Sequence, residues 1–331
     1  MRYVIFAAAA GAVVAAAIYA VSFSGRAPLS AQDFVNLQQG SLLQAGFRRA
    51  HAKGFCISGE FQSSGALAAY SSAQVLQSGS YPFIGRISIA GNNPSAPDLK
   101  APVRSLALTI LPDSPQQWRT AMNTPPVLAV ATPEKFYQQL LAIQNSTVPE
   151  FFAAHPEAQN FINWRNSYQP SQSFATERYH SINAFYLVNA QGKQQAVRWA
   201  ALPLTDDVGQ ITDAEATDAL QQEFLSRLQQ GPVRFDLQFT LATANDNPAD
   251  ATIPWPDTNP QLSAGTIVIE QASLQEAGAC NAINFDPLVL PAGFAPSDDP
   301  ILRARAAAYA ESHRRRAREV LMQQTAGGAN E

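Results

Sequence analysis

The sequence has few charged residues, few histidines and almost no cysteine, and these shortages exclude several classes of protein. Lysine and arginine number 22 against 26 aspartate and glutamate in 331 residues, a net charge of −4, whereas a nucleic-acid partner requires a basic face. The 2 cysteines have no metal-ligand spacing. Hydrophobic residues make up 46% and charged residues 15% of the chain, which excludes disorder. We therefore expect a globular protein with one large core.

An uncharged apolar run covers residues 3–22, directly after Arg2. It reaches the roughly 20 residues that span a bilayer, and no clear Ala-x-Ala cleavage site follows it. The positive-inside rule places Arg2 in the cytoplasm and the body of the protein outside it. We expect an exported, periplasmic protein: an uncleaved anchor in residues 1–25 holds a single domain, residues 26–331, at the inner membrane. A cleaved signal peptide and an Ala-rich buried helix are the alternatives.

Cys56 and Cys280 are the 2 cysteines, and an exported protein is free to join such a pair in a disulfide. The sequence does not say whether they meet. Because Cys56 lies in an alternating strand pattern, a small buried thiol is the favoured interpretation.

Strand periodicity dominates the body of the chain. Apolar and polar residues alternate through 55–61 and 235–241, as in half-buried strands. Residues 184–188 and 195–201 flank the turn 189–193 and indicate a hairpin. Further strands are predicted at 83–90, 105–111 and 266–269. We predict an α+β fold, an antiparallel barrel with helices packed against it.

Two helices are marked by their first residues. One is predicted over 133–143, with Thr132 as its N-cap. The other is predicted over 213–230, where Thr212 and Glu215 form a capping box.

Two segments near opposite ends of the chain carry the residues with the most chemistry. The first is Arg48-x-x-His51-Ala-Lys-Gly, which offers an acid/base imidazole. The second is a helix starting at Asp299, in which Arg305 lies one turn before Tyr309. A phenol ligates iron as phenolate only where positive charge favours ionisation, and Arg305 supplies such charge. These are the parts needed for peroxide chemistry on haem iron, so the two segments are expected to meet.

Both segments resemble the haem-binding signatures of the catalase family. Three further stretches follow in the family's order: Arg86-Ile-Ser88 resembles Arg-Phe-Ser, Asn123-Thr-Pro resembles Asn-Thr-Pro, and Phe285-Asp-Pro with Pro291-Ala-Gly resembles Phe-Asp-Pro with Pro-x-Gly. The matches cover roughly residues 40–317, and the shortened, exported branch of catalase-related haem peroxidases is the most similar. The resemblance implies a haem-dependent, eight-stranded barrel without the family's C-terminal helical domain.

On the proximal side the resemblance implies a haem, haem b with Fe(III), whose axial ligand is the Tyr309 phenolate. Tyr ligation is the general catalase arrangement. His313 resembles a residue that supports Arg305. An ordinary helix tyrosine that packs on the barrel is the alternative for Tyr309. The residues that would bind the haem propionates through charge-assisted hydrogen bonds are Arg48, Arg86 and Arg316.

On the distal side the resemblance assigns four roles. His51 would move the proton when the peroxide bond breaks, Asn123 would steady the departing oxygen, and Ser88 would orient the His51 ring. Phe136 aligns with an aromatic that lies against the haem, with simple core packing as the alternative. Asn-Thr-Pro is also a common turn.

Departures from the family bear on the reaction. Large catalases carry Asp-x-Arg-Gly in a strand that lines the substrate channel, and here Pro102 and Ser105 replace the Asp and the Gly. Ala307 and Ala310 stand where Phe and Pro are usual in the proximal helix. Compared with large catalases, we also expect the extra C-terminal helical region and most of the long N-terminal arm to be missing, and therefore a wider, shorter entrance.

We therefore expect a haem-dependent peroxidase that reduces organic hydroperoxides and hydrogen peroxide with a small-molecule electron donor and protects against oxidative stress. A true catalase and a Tyr-ligated haem carrier without catalysis are the alternatives. The protein is expected to contact the membrane only through its N-terminal segment and to act as a monomer or a homodimer.

Overall fold

The computed structural model describes residues 28–207, 211, 213–276 and 278–327. From Ala31 onward the described residues belong to one unit. The expected anchor at 3–22 and the Thr212 cap lie outside the described residues. Within them, none of the helices combines the length and the apolar character needed to cross a bilayer.

The strands of the described residues close into an antiparallel barrel. They are β1 (Gly54–Ser63), β2 (Gly79–Ile89), β3 (Arg104–Ile110), β4 (Trp118–Asn123), β5 (Tyr179–His180), β6 (Phe185–Val188), β7 (Gln194–Pro203), β8 (Val233–Leu241), β9 (Gln261–Leu274) and β10 (Phe294–Pro296). Eight of them form the ring β7-β5-β4-β3-β2-β1-β9-β8, which closes because β8 also pairs with β7. β6 and β10 continue from β7 outside the ring. The predicted α+β fold with an eight-stranded antiparallel barrel is confirmed.

Helices pack around this barrel. They are α1 (Ala31–Gln39), α2 (Pro133–Gln144), α3 (Val148–Ala154), α4 (Gln159–Ser167), α5 (Ala219–Gln230) and α6 (Pro300–Gly327). α2 begins where the sequence predicts, with Thr132 Oγ1 accepting a hydrogen bond from the Lys135 amide at 3.3 Å. α6 also begins as expected, because Asp299 Oδ1 accepts from the Ile301 amide at 2.9 Å.

The start of α5 differs from the prediction. The helix begins at Ala219, and Glu215 instead faces Lys100 in an exposed ion pair at 3.9 Å. The carboxylate of Asp98 caps α5 by accepting from the amides of Leu220 at 3.0 Å and Gln221 at 3.1 Å. A cap that comes from 122 residues away leaves no signal in the local sequence, so the capping-box prediction was wrong.

Alternation along the strands separates an apolar interior from a more polar outer face. In β3, Leu106, Leu108 and Ile110 are completely buried in the barrel core. Ser105, Ala107 and Thr109 alternate with these residues along β3 and therefore face outward. The same parity places Arg86, Ser88 and Asn123 on the outer face, since each alternates with core residues of its own strand. The outer face of β2 to β4 thus carries the predicted distal residues.

Cys56 in β1 and Cys280 before α6 form a disulfide. Both residues are buried, at 3% and 0% exposure, but the expectation of a buried thiol was wrong. The pairing could not be predicted because it joins residues separated by 224 positions, and their proximity depends on the closed barrel.

Removing this disulfide is expected to destabilise the protein strongly. In the chain-entropy model, a crosslink over such a long loop raises the free energy of the unfolded chain by about 5 kcal/mol, and measured losses on removing a native disulfide are about 2–5 kcal/mol. We expect that loss in the free energy of unfolding for the Cys56→Ser, Cys280→Ser double variant, measured by denaturant titration. Wild type titrated with a reductant should show the same loss. A difference below about 1 kcal/mol would contradict a disulfide constraint of this size.

Candidate active site

A row of polar residues crosses the outer face of the barrel. Ser88 in β2, Ser105 in β3, Asn123 in β4 and His180 in β5 stand directly opposite one another on adjacent strands. His51 reaches this row from the loop before β1, with a left-handed backbone conformation at φ 59°. The structure therefore brings His51, Asn123 and Ser88 to one place, as the sequence predicts. His180 and Ser105 were missed.

The hydroxyl of Ser105 connects the two principal distal residues. Its Oγ lies 3.2 Å from His51 Nδ1 and donates to Asn123 Oδ1 at 2.5 Å. The predicted partner of the His51 ring, Ser88, lies one strand away from Ser105, and no hydrogen bond joins it to His51 in the described part of the chain. The assignment of Ser88 as the ring-orienting residue is therefore corrected to Ser105. The sequence could not decide between the two serines because the choice depends on strand register and loop conformation.

The environment of His51 holds its imidazole neutral. Burial, the largest cause, and the positive charges of Arg86, Arg305 and Arg48 together lower the pKa of His51 to about 3, and only a hydrogen bond with the Ile89 backbone acts the other way. A neutral imidazole has one bare nitrogen that can accept a proton at physiological pH. His51 is thus suited to act first as a base and then to release the proton readily.

Arg48, Arg86 and Arg316 form a cluster in which no arginine has a carboxylate within ion-pair distance among the described residues, although Glu276 acts on Arg86 from farther away. Arg86 and Arg316 are buried at 2% and 5% exposure. Burial lowers the pKa of Arg48, Arg86 and Arg316, and the mutual repulsion of the cluster lowers the pKa of Arg48 and Arg86 further. Their hydrogen bonds go to neutral groups: Arg48 Nη2 donates to the Cys280 carbonyl at 3.1 Å and Arg86 Nε to Gln275 Oε1 at 2.8 Å. Buried, unneutralised guanidiniums of this kind indicate a site for an anionic group.

The arginine cluster and Tyr309 together fit a haem. Arg48 Nη1 is buried and has no hydrogen-bond partner among the described residues, so it is available to a carboxylate oxygen such as that of a propionate. Tyr309 lies close enough that a phenolate there favours the charged forms of Arg48 and Arg86. Its ring packs with Phe285 and the disulfide. The arginines match the two propionate carboxylates of a haem, and the Tyr309 oxygen matches the oxygen ligand that Fe(III) would take.

The side chain of Arg305 is held by a buried chain of hydrogen bonds that the sequence did not reveal. Asn183 Nδ2 donates to Asp299 Oδ2 at 2.7 Å, and Asn183 Oδ1 accepts from Arg305 Nη1. Arg305 Nη2 also donates to the Ala121 carbonyl at 3.3 Å. Asp299 thus caps α6 and also fixes Asn183, which in turn fixes the arginine one turn before Tyr309. The sequence predicts the role of Asp299 at the start of the helix, but the second role of Asp299 depends on a residue 116 positions away.

His313 is not placed beside Arg305. Its Nε2 lies 3.0 Å from the Ala282 carbonyl. Eight residues of helix separate it from Arg305, a rise of about 12 Å, so the support predicted for Arg305 comes from Asn183 instead. His313 tethers α6 to the segment after the disulfide, next to Asn281, whose Oδ1 accepts from Arg316 at 3.2 Å.

Phe136 lies on α2 in a second apolar cluster. It stacks on Phe34 of α1 with ring centroids 6.4 Å apart and packs against Val130 and Phe151. The core-packing alternative therefore describes the contacts seen among the described residues. Its place against a haem stays a prediction.

Long-range contacts join the distal loop to α6. Arg49 forms an ion pair with Glu319, whose Oε2 accepts from the Gly46 amide at 2.9 Å. Arg48 Nη2 donates to the Ile283 carbonyl at 2.9 Å. The distal segment that carries Arg48 and His51 and the proximal helix α6 therefore meet.

The chain is similar to several known proteins. The family model described as catalase matches residues 8–325. The catalase-related peroxidase of Synechococcus elongatus is 35% identical over 290 residues, covering 83% of this chain and 85% of that protein. The protein of the same name from Mycolicibacterium paratuberculosis is 31% identical over 279 residues, covering 81% and 88%.

Solved structures show the same fold. Catalase A from Saccharomyces cerevisiae superimposes with a TM-score of 0.72 at 19% identity, over 82% of this chain and 62% of that one. A bacterial catalase gives a TM-score of 0.71 at 20% identity, over 82% and 58%. This chain therefore spans less than two thirds of the length of either solved catalase.

Proposed function

The chain belongs to the catalase family, and from this premise we propose that it is a haem-dependent peroxidase. It reduces organic hydroperoxides and hydrogen peroxide with small-molecule electron donors and so protects against oxidative stress. The observation that carries the proposal is the convergence of a neutral imidazole, a primary amide, a phenol and three unneutralised arginines on one side of the barrel. The names of the curated relatives support an enzyme that acts on peroxide.

The distal residues handle the peroxide proton. Haem, when bound, supplies the redox chemistry at iron. His51 takes the proton from the incoming peroxide at Nε2 and returns it to the oxygen that departs, as general acid–base catalysis requires. The Asn123 amide donates a hydrogen bond to that oxygen without changing its own charge.

The proximal residues hold the cofactor. Tyr309 provides the phenolate ligand, and Arg305 stabilises its negative charge from one helical turn away. The chain from Asp299 through Asn183 keeps the Arg305 guanidinium in that position. The arginines that bind the two propionates are Arg48, Arg86 and Arg316, and haem b is the form of the cofactor that we propose.

The peroxidase reaction is favoured over hydrogen peroxide disproportionation. Pro102 removes the acidic side chain that large catalases place in their substrate channel. A channel without that charge attracts and orders hydrogen peroxide less strongly, and it excludes larger, less polar hydroperoxides less strongly. Both curated relatives described above are named catalase-related peroxidase, which supports this preference.

We also propose a cellular location for the protein. The apolar run at 3–22 supports an exported, periplasmic enzyme that is tethered to the inner membrane. The enzyme is proposed to act as a monomer or a homodimer.

The reaction preference is tested by measuring two activities of the same purified protein, the oxidation of an electron donor and the release of oxygen. We expect rapid oxidation of a chromogenic phenolic donor with either hydrogen peroxide or tert-butyl hydroperoxide, and weak oxygen release in an oxygen electrode. The cofactor-free chain serves as the control for background oxidation. Vigorous oxygen release with negligible donor oxidation would overturn the peroxidase preference in favour of a true catalase.

A further inference from the structure

Ser105 stands in the position where catalases commonly carry glycine, yet its hydroxyl contacts both distal residues. We propose that Ser105 is a positioning residue that sets the tautomer of His51 and the orientation of the Asn123 amide. The proposal rests on the proposed function, because these two residues act on the peroxide.

A hydroxyl has a single hydrogen, and that limits how Ser105 can bind its two partners. Its Oγ donates to Asn123 Oδ1 at 2.5 Å, so only its lone pairs remain for His51. The contact of 3.2 Å between Ser105 Oγ and His51 Nδ1 is then a hydrogen bond only if Nδ1 carries the ring proton. Nε2 is left bare, and it is the nitrogen that must accept the peroxide proton.

The neutral state of His51 makes the tautomer decisive. Burial and three neighbouring arginines disfavour the imidazolium, so the ring has one N–H and one acceptor. A proton on Nε2 would leave no base facing the peroxide. In serine proteases, disturbing the tautomer of the catalytic histidine lowers turnover by about 10⁴-fold.

The same hydroxyl orients Asn123. Because Oδ1 accepts the Ser105 proton, the NH₂ group of the amide points away from Ser105 and is free to donate to the departing oxygen. In the reversed arrangement, Asn123 would donate to Ser105 and Ser105 would donate to Nδ1. That arrangement would put a proton on Nε2 and a carbonyl oxygen beside the peroxide, and both are wrong for the reaction.

Burial supports a fixed arrangement. Ser105 is 8% exposed and is the directly opposed partner of Asn123 in the ladder between β3 and β4. The side chains of directly opposed residues lie about 5 Å apart at Cβ on the same face of the sheet. The strand register therefore brings Ser105 to Asn123, and the His51 loop then places the imidazole over the hydroxyl.

The test compares variants of the haem-loaded protein in two measurements. We expect Ser105→Ala to lower the second-order rate constant for peroxide by about 10- to 100-fold, a part of the full acid–base contribution, while the KM for the electron donor stays unchanged. The association rate of cyanide, followed by absorption, should fall in parallel. Hydrogen cyanide must give up its proton to a distal base when it binds, and this measurement needs no turnover.

Ser105→Thr retains the hydroxyl and should restore most of both rates. Ser105→Gly, the residue common in catalases, provides a second variant without a hydroxyl and should behave like Ser105→Ala. Thr109→Val is the matched control, because it removes a hydroxyl from the same face of β3 outside the site and should leave both rates unchanged.

Either of two results would overturn the proposal: wild-type peroxide and cyanide rates in both Ser105→Ala and Ser105→Gly, or a larger loss in Ser88→Ala than in Ser105→Ala. A wild-type protein that binds haem without oxidising donors would instead refute the proposed function. The cyanide rates would still decide the role of Ser105.

Discussion

Replacing His51 by alanine is expected to lower the rate constant for peroxide cleavage by about 10²–10⁴-fold, the usual contribution of a positioned acid–base group. The variant should still bind haem, because the residues assigned to the propionates and to the iron lie elsewhere in the site. The measurement is stopped-flow absorption of the haem-loaded variant mixed with excess peroxide, with the haem-to-protein ratio determined on the same sample.

Two control variants separate proton transfer from simple packing at this position. His51→Gln keeps a polar side chain of similar size but cannot move a proton at neutral pH, so it should lose nearly as much activity as alanine. His155→Ala removes a histidine that stacks on Phe151 in the α3 region and should leave the peroxide rate unchanged. Unchanged function in His51→Ala would favour the haem-carrier alternative.

Much of the barrel could be predicted from local patterns. Strands with clear alternation, such as β1 and β8, were placed within about two residues, a typical boundary error, and the hairpin between β6 and β7 was recognised from its turn. β4, β5 and β10 were missed. β5 has 2 residues and β10 has 3, too few to show a period of two. The order of strands in the ring also depends on pairings between distant segments, which periodicity does not report.

The candidate site was predictable where its chemistry sits in contiguous motifs. His51, Asn123, Arg305 and Tyr309 each belong to a short stretch that resembles a known signature. Residues that act through contacts across the fold could not be identified in this way.

Asn183 illustrates the limit, because it sits in an unremarkable loop and gains its role only when α6 brings Asp299 and Arg305 to either side of it. In the sequence, Ser105 stands out only because it replaces the glycine of the family's Asp-x-Arg-Gly stretch. Its contact with His51 requires the register of β2, β3 and β4 together with the left-handed conformation of the loop.

The burial of the arginine cluster was likewise hidden from the sequence. Arg48, Arg86 and Arg316 are spread over most of the chain, and each alone resembles a solvated charge. Only the fold shows that none of them forms an ion pair with a carboxylate in the described part of the chain, and this feature favours an anionic cofactor over a simple packing role.

Replacing Tyr309 by phenylalanine is expected to abolish ferric haem ligation through the phenolate and with it nearly all peroxide turnover. The ring would still pack with Phe285 and the disulfide, so the barrel should fold, and the melting temperature of the cofactor-free variant should stay close to that of the cofactor-free wild type. Only the oxygen atom that would ligate the iron is lost. Absorption spectroscopy of the purified variant should show loss of the high-spin phenolate bands, and pyridine haemochrome analysis should show reduced haem content.

Tyr186→Phe is the matched control for the loss of a phenol oxygen, because Tyr186 lies on β6 outside the closed ring and makes no contact with the arginine cluster in the described chain. It should retain the wild-type spectrum and activity. The loss in Tyr309→Phe should also exceed the loss in Arg305→Leu, since the guanidinium stabilises a ligand that Tyr309 itself provides. A Tyr309→Phe protein with the wild-type spectrum and full turnover would show that another side chain holds the iron, and the ordinary packing interpretation of Tyr309 would then be correct.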